Sequence, residues 1–265
     1  MTELRFKHLK SDAGIFLFKQ KDSKIVIVII YIDDVLFCGP NKAIVDELKA
    51  HFMQKWECRD LSEAHKFLHM YICQNGHKIS IDQCAYLNTV LQHCRMANAK
   101  STPTPLPAEY YPMPNIELLN TILQSRFQQV IRLLLYLSLG THPDIAYAVT
   151  ALACQSTNLS EDHLNKALYI CHYLIGMQKY SLNYNCHSGL KIMACTDSNW
   201  GSDPTSHHSQ TGYFFKIVGR LFSWSLHVQK SVTVSSTEAE YMALSDCNCQ
   251  AIWIQTLLHK LRYKE

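Results

Sequence analysis

The chain has 265 residues, 48% hydrophobic and 18% charged, with only 9 Gly and 8 Pro. That composition excludes collagen-like, low-complexity and wholly disordered classes and supplies apolar mass for roughly two domains. A formal charge of +3 leans toward an anionic partner without the basic excess that announces nucleic-acid binding by charge alone.

In chain order, Ile15 to Lys19 and Lys24 to Ile32 are β-branched runs around the polar Gln20–Ser23, which predicts a hairpin. Val35 to Cys38 reads as a further short strand, stopped by Gly39–Pro40. Ile44, Leu48 and Phe52 recur at helical spacing, so a helix is predicted from Asn41 to Trp56 with Asn41 as its N-cap. Strands flank Asn75–Gly76, the first of them Phe67 to Cys73, and Ile81 to Met96 reads as a helix. Five prolines between Ser101 and Pro114 mark the best linker in the chain. Beyond it Ile116 to Leu139, Pro143 to Cys154 and Glu161 to Gly176 read as helices, and strands follow from Ser181 onward. The fold class is therefore α/β in the α+β sense.

The 11 Cys are an odd number without a C-x-x-C pair, and Met1–Arg5 opens no charged-then-apolar leader, so reduced thiols and an intracellular site, cytoplasmic or nuclear, are expected. The longest apolar run, Ile25 to Ile32, is far short of the about 20 residues of a spanning helix, so no membrane partner is expected. His65, His69 and Cys73 fall at zinc-like i, i+4, i+8 spacing, but the stretch reads better as a strand.

Asp33 and Asp34 carry the most information, because ionised carboxylates inside an apolar run cost several kcal/mol each unless solvated, paired or coordinated. Two readings stay open: a solvated hairpin turn, and a pair of oxygen ligands for Mg²⁺ at a rigid hairpin tip.

Tyr31–Asp34, Y-I-D-D, resembles the catalytic hairpin of reverse transcriptases. The surrounding segments narrow the resemblance to the Pol polyprotein of Ty1/copia-type retrotransposons. Asp12–Phe16 leads into the hairpin as in that family. Asp60–Ala64, Phe67–Leu68, Ile79–Gln83 and Ser101–Leu106 resemble its D-L-G-x-A, F-L-G, I-S-x-x-Q and S-T-P-L segments. Leu134–Ser138 and Thr141–Ile145 resemble L-L-Y-L-S and T-R-P-D-I, and Thr196–Trp200, Thr211–Tyr213, Ser223–Ser225 and Ser235–Tyr241 follow in family order.

The resemblance implies three parts: distal reverse transcriptase over 1–107, thumb- or connection-like helices over 108–187, and the first half of an RNase H-like domain over 188–265. The last is expected as a mixed sheet with a long helix, truncated. Its own pattern agrees: strands are predicted at Lys191–Asp197, Thr211–Val218, Leu221–Ser225 and Ser231–Val234. A Ser235/Glu238 capping box then opens a helix with an apolar stripe at Ala243, Cys247, Ile254, Leu258 and Leu261. By resemblance, Asp33 and Asp34 would hold Mg²⁺ for nucleotidyl transfer, and Asp197 and Glu240 would hold it for cutting the RNA strand of a hybrid. The partners implied are primer–template or RNA–DNA hybrid and the rest of a Pol polyprotein.

Departures point toward an incomplete enzyme, inactive alone. A third carboxylate is expected upstream of the hairpin, and Asp12 and Asp22 do not replace it. Asp246 is a poor substitute for the third carboxylate of the second site. The Gly of F-L-G is His69; Arg positions are His142, His207 and His208; Lys positions after S-W-S are His227 and Val228. Arg grips phosphate in a bidentate way and His is mostly neutral at pH 7, so these changes weaken phosphate contacts. The alternative is a non-catalytic nucleic-acid-binding remnant of a decayed element.

Overall fold

A computed structural model describes residues 6–19, 25–97, 99–114, 121–185, 191–203 and 206–261. The turn predicted at Gln20–Ser23, Asp22 with it, and the start of the helix predicted from Ile116 lie outside them. The chain divides into two compact units, Met1–Leu68 with Gln250–Glu265, and His69–Cys249.

The first unit is built on an antiparallel sheet of order β1-β2-β3-β4, with β1 Lys7–His8, β2 Ile15–Lys19, β3 Ile25–Tyr31 and β4 Asp34–Cys38. Strand alternation sends Val26 and Val28 to one face, where both are at most 1% exposed. Ile25, Ile27 and Ile29, on the other face, are only half-buried. The run is thus fully buried on one face rather than on both. Helix α1, Lys42–Lys55, starts where the Asn41 side chain accepts from the Ala43 amide at 2.9 Å, as its sequence predicts. It lays Ile44, Val45 and Leu48 over Val26, Val28 and Phe37, and Phe52 meets Phe37 edge-on with centroids 5.7 Å apart. Full burial of such a side chain stabilises by about 1.5–3 kcal/mol, and this contact anchors α1 on the sheet that carries the hairpin. The unit also takes in the end of the last helix, whose Trp253 indole donates to the Ser11 carbonyl.

The strand predicted over Phe67–Cys73 is broken: β5 is only Lys66–Phe67, and Leu68 and His69 take φ of 50° and 55°, a left-handed step that no strand continues through. In the second unit β6, Met70–Asn75, turns at Asn75–Gly76 into β7, Lys78–Asp82, and β8, Leu182–Asn185, pairs antiparallel with β7 from Lys78↔Asn185 to Ile81↔Leu182. Ile81 belongs to β7, so the helix predicted from Ile81 starts later, as α2, Cys84–His93, where Asp82 Oδ1 accepts from the Cys84 amide at 3.0 Å.

The helical middle comprises α3 Thr121–Gly140, a 3-10 turn Pro143–Ile145, α4 Ala146–Ala153 and α5 Glu161–Gly176. Its core joins Leu87, Val90 and Leu91 of α2 to Phe127, Leu134, Leu137, Leu152, Ile170 and Leu174, all nearly inaccessible. The proline segment lies along α5: the Thr102 amide donates to the His172 carbonyl and Tyr110 Oη to Asp162 Oδ2.

The last sheet has order β11-β10-β9, with β9 Ile192–Asn199, β10 Gln210–Ile217 and β11 Arg220–Val228, every pair antiparallel. The expected mixed sheet is therefore all antiparallel among the described residues, and β9 takes one end of the order. Ser231–Val234, predicted as a strand, is irregular, because its backbone serves the cap of α6, Ser236–Lys260. The Val234 amide donates to Glu238 Oε2 at 2.7 Å and the Glu238 amide to Ser235 Oγ at 3.1 Å. Glu238 caps as predicted, one residue further back than a capping box requires. Ala239, Ala243, Cys247 and Ile254 form the buried stripe of α6. No helix is long and apolar enough to cross a membrane among the described residues.

Candidate active sites

The first candidate site is the β3–β4 hairpin. Tyr31 pairs with Asp34, which leaves Ile32 and Asp33 as a two-residue turn. Ile32 sits at φ 52° and is 81% exposed, an outlier for a β-branched residue that only a well-fixed frame sustains. Part of that frame is Gly14. Its carbonyl accepts from the Ile30 amide at 2.8 Å, and a Cβ on Gly14 would stand 2.7 Å from the Ile30 oxygen. The backbones approach closely because residue 14 has no side chain.

Asp33 and Asp34 are both exposed, and among the described residues neither belongs to an ion pair. The turn is solvated, and its two carboxylates face outward as hard oxygen donors. Asp12 turns to its own loop, Oδ1 accepting from the Gly14 amide at 2.8 Å, so it adds no third ligand. The candidate zinc set His65, His69 and Cys73 does not gather; no group of three His, Cys, Asp or Glu side chains does so among the described residues.

The second candidate pair lies in the second unit. On β9–β10–β11, Asp197, Gly212 and Leu226 form one row and Cys195, Phe214 and Trp224 another on the same face. With Tyr180 and Lys216 they line a cavity of about 540 Å³. Trp224 is anchored by an indole donation to the Ser138 carbonyl at 2.8 Å. The opposite face receives α6. The buried Gln229 ties the two together, its Nε2 donating to Thr211 Oγ1 and to the Ala239 carbonyl at 3.0 and 2.9 Å.

The latch ties α6 to β10, and Glu240 Oε1 accepts from the Ser198 amide of β9 at 3.3 Å. Asp197, one residue earlier, lies on the cavity face, so the register sets the two carboxylates on opposite faces of the sheet. Both carboxylates are exposed. Asp246 turns elsewhere, to His227 Nε2 at 3.0 Å. The aromatic cavity beside Asp197 was not foreseen from sequence. Its signal, Phe214 and Trp224 at alternating strand positions, has meaning only once register is known.

Of the five histidines standing where the resemblance expects Gly, Arg or Lys, four have side-chain partners inside the chain. His69 meets Tyr86 and Tyr136 edge-on, His208 Nδ1 meets the Gln229 carbonyl at 2.8 Å, and His227 holds Asp246. His142, 2% exposed, puts Nδ1 3.4 Å from Asp144 Oδ1. Burial pushes the Asp144 carboxyl up, but His142 and the Tyr173 hydroxyl, donating at 2.8 Å, outweigh it and hold the group below the usual carboxylate range.

Residues 1–108 match the family model described as reverse transcriptase (RNA-dependent DNA polymerase). Over 95% of its length the chain is 28% identical to the retrovirus-related Pol polyprotein from transposon TNT 1-94 of Nicotiana tabacum, covering 19% of that protein. It is 29% identical over 98% of its length to the Pol polyprotein from transposon RE1 of Arabidopsis thaliana, covering 18% of it. An uncharacterized mitochondrial protein of Arabidopsis thaliana is 29% identical over 85% of this chain and 93% of its own length. The chain thus spans about a fifth of the polyproteins that it matches. No solved structure matches.

Proposed function

Because the chain belongs to the Pol polyproteins of copia-type retrotransposons, with a reverse transcriptase-like region over residues 1–108, we propose that it carries parts of two Mg²⁺-dependent sites and that neither is complete in this chain alone. Asp33 and Asp34 belong to nucleotidyl transfer on a primer–template, and Asp197 and Glu240 to cleavage of the RNA strand of an RNA–DNA hybrid. The observation that carries the reading is the hairpin itself: two adjacent carboxylates, exposed, at a two-residue turn whose strands are fixed by α1 and by the Gly14 contact.

The donor chemistry fits the ion. Mg²⁺ is taken by one or two carboxylates while it keeps waters and substrate phosphates. Asp33 and Asp34 offer outward-facing oxygens of that kind, whereas Asp197 and Glu240 start from opposite faces of the sheet and would have to converge at its β9 edge. When bound, the ion neutralises charge on phosphate oxygens. The chain's own residues do the positioning. The β3–β4 frame fixes Asp33 in the turn and Asp34 at the start of β4, and the exposed Tyr31 ring, paired with Asp34, offers a surface against which a primer terminus can rest. The Ser198 amide orients Glu240, and the Gln229 latch sets the distance of α6 from β9.

The incompleteness rests on the absence of a third carboxylate beside either pair among the described residues. Losing a ligand weakens the hold on a second ion, which dehydrates reluctantly. The test is to incubate the purified chain with primed template plus nucleotides, and with labelled hybrid, in Mg²⁺ and Mn²⁺, beside an Asp33→Asn, Asp197→Asn double variant. The expected result is no turnover by either. Turnover that vanishes in the variant would show the chain self-sufficient. Salt-sensitive hybrid binding without turnover would favour the non-catalytic binding reading.

A further inference from the structure

We propose that the cavity between Pro105–Tyr111 and the start of α4 binds an alkylated ammonium cation, of the kind carried by choline or by N-methylated lysine. The cavity, about 440 Å³, has the volume of a small-molecule site. Its walls present three tyrosine rings, Tyr110, Tyr111 and Tyr147, and two carboxylates, Glu109 and Asp144, with no basic side chain among the described lining residues. Ring faces carry negative electrostatic potential and attract a cation whose own hydration is weak, while the carboxylates add charge and repel phosphate. The site shares no residue with Asp33, Asp34, Asp197 or Glu240, so it stands or falls independently of the catalytic reading.

Three features preorganise it. Tyr110 is held by its hydroxyl donation to Asp162 Oδ2 at 2.9 Å, and the Lys166 ammonium already lies 4.8 Å from the centre of that ring. That ammonium, itself 3.7 Å from Asp162 Oδ1, already takes one face of the ring, so an incoming cation is left the rest of Tyr110 with Tyr111 and Tyr147. Asp144 stays ionised, because Tyr173 donates to it and His142 stands beside it. Tyr111 stays neutral, since burial and the nearby Asp203 and Tyr147 push it up to about 12.

Nucleobases also stack on tyrosine, but here they would bring phosphate against two carboxylates. The full chain is titrated calorimetrically with choline, tetramethylammonium, a trimethyllysine peptide, the unmethylated peptide and AMP. Saturable binding of the methylated cations is expected, with the unmethylated peptide weaker and AMP silent. Tyr147→Ala, at a ring 40% exposed, is expected to weaken binding roughly tenfold. Glu109→Gln, on an exposed side chain, tests the charge severalfold even if the first variant fails to fold. A tighter trimethyllysine peptide assigns the natural source to a protein tail, and tighter choline assigns it to a free small cation; either supports the site. Binding of AMP, no saturable heat with any methylated cation, or binding unchanged by both variants overturns it.

Discussion

Gly140→Ala isolates one buried contact and gives it a sign. Residue 140 ends α3 in helical conformation, so in a neutral site the change would gain about 0.8–1 kcal/mol of helix propensity. Here an added Cβ would overlap the Gln83 side-chain amide. Gln83 is 1% exposed, and its Oε1 accepts from the Oγ1 of fully buried Thr141 at 2.9 Å. Displacing the amide leaves the Thr141 hydroxyl unpaired, about 1–3 kcal/mol, and forces Gln83 off its rotamer, about 0.5–1.5 kcal/mol. The net expectation is a loss of about 1–3 kcal/mol. In a Gln83→Ala background the obstacle is gone, and Gly140→Ala should then stabilise by about 1 kcal/mol, a coupling of about 2–4 kcal/mol. Urea titrations followed by tryptophan fluorescence read this; of the four tryptophans, Trp224 is bonded to the Ser138 carbonyl of the same helix. A stabilising Gly140→Ala in the parent chain, or a coupling under about 0.5 kcal/mol, would refute the packing argument.

Ile32→Asn should stabilise by about 0.5–1 kcal/mol, since Asn tolerates φ 52° and Ile32 buries little; a loss of melting temperature sinks this. Asp60→Asn removes a surface pair in which Lys49 donates at 2.8 and 3.0 Å, and its cost, about 0.2–1 kcal/mol, should fade in 1 M salt. Lys49 lowers the Asp60 carboxyl and Asp60 raises the Lys49 ammonium, so the contribution is present at neutral pH. It is lost in acid as pH falls through the Asp60 value, and in base as pH rises through that of Lys49; a contribution that grows below pH 4 contradicts it. Tyr173→Phe removes a donor to the ionised Asp144, so stability should drop by about 1.5–3 kcal/mol at pH 7. The carboxyl should then titrate higher, moving the acid transition to higher pH; an unmoved transition argues that Tyr173 does not hold it.

What could be read in the sequence was local. The β3–β4 hairpin, the Asn41 cap and α5 from Glu161 to Gly176 are set by neighbours within a few residues, and the structure has them where the pattern puts them. Where a competing partner lies far off, the pattern misleads. Ile81 has helical spacing with the apolar residues after it, yet pairs with Ile72 and Leu182. Ser231–Val234 has strand composition, yet its amide and carbonyl groups go to Glu238 and Trp200. The prolines around Pro105 read as spacer because their contacts with α5 come from more than fifty residues away. Of the carboxylates, the adjacency of Asp33 and Asp34 is in the sequence itself, whereas the approach of Glu240 to β9 depends on the Gln229 latch, which no local pattern announces.

The pairing of β7 with β8 bears on how the chain comes off the ribosome. Lys78 waits for Asn185, and the apolar side of α2, with Leu87, Val90 and Leu91, waits for α3 and α5. At synthesis rates of about 5–20 residues per second, that interval lasts roughly 5–20 s. During it the nascent chain offers an unpaired strand edge and an uncovered apolar stripe, the two features that recruit chaperones or neighbouring chains. The segment that matches reverse transcriptase therefore cannot finish folding when its own last residue appears. It depends on a strand and two helices encoded downstream, so a nascent chain released before β8 would emerge as a substrate for quality control rather than as a smaller folded protein.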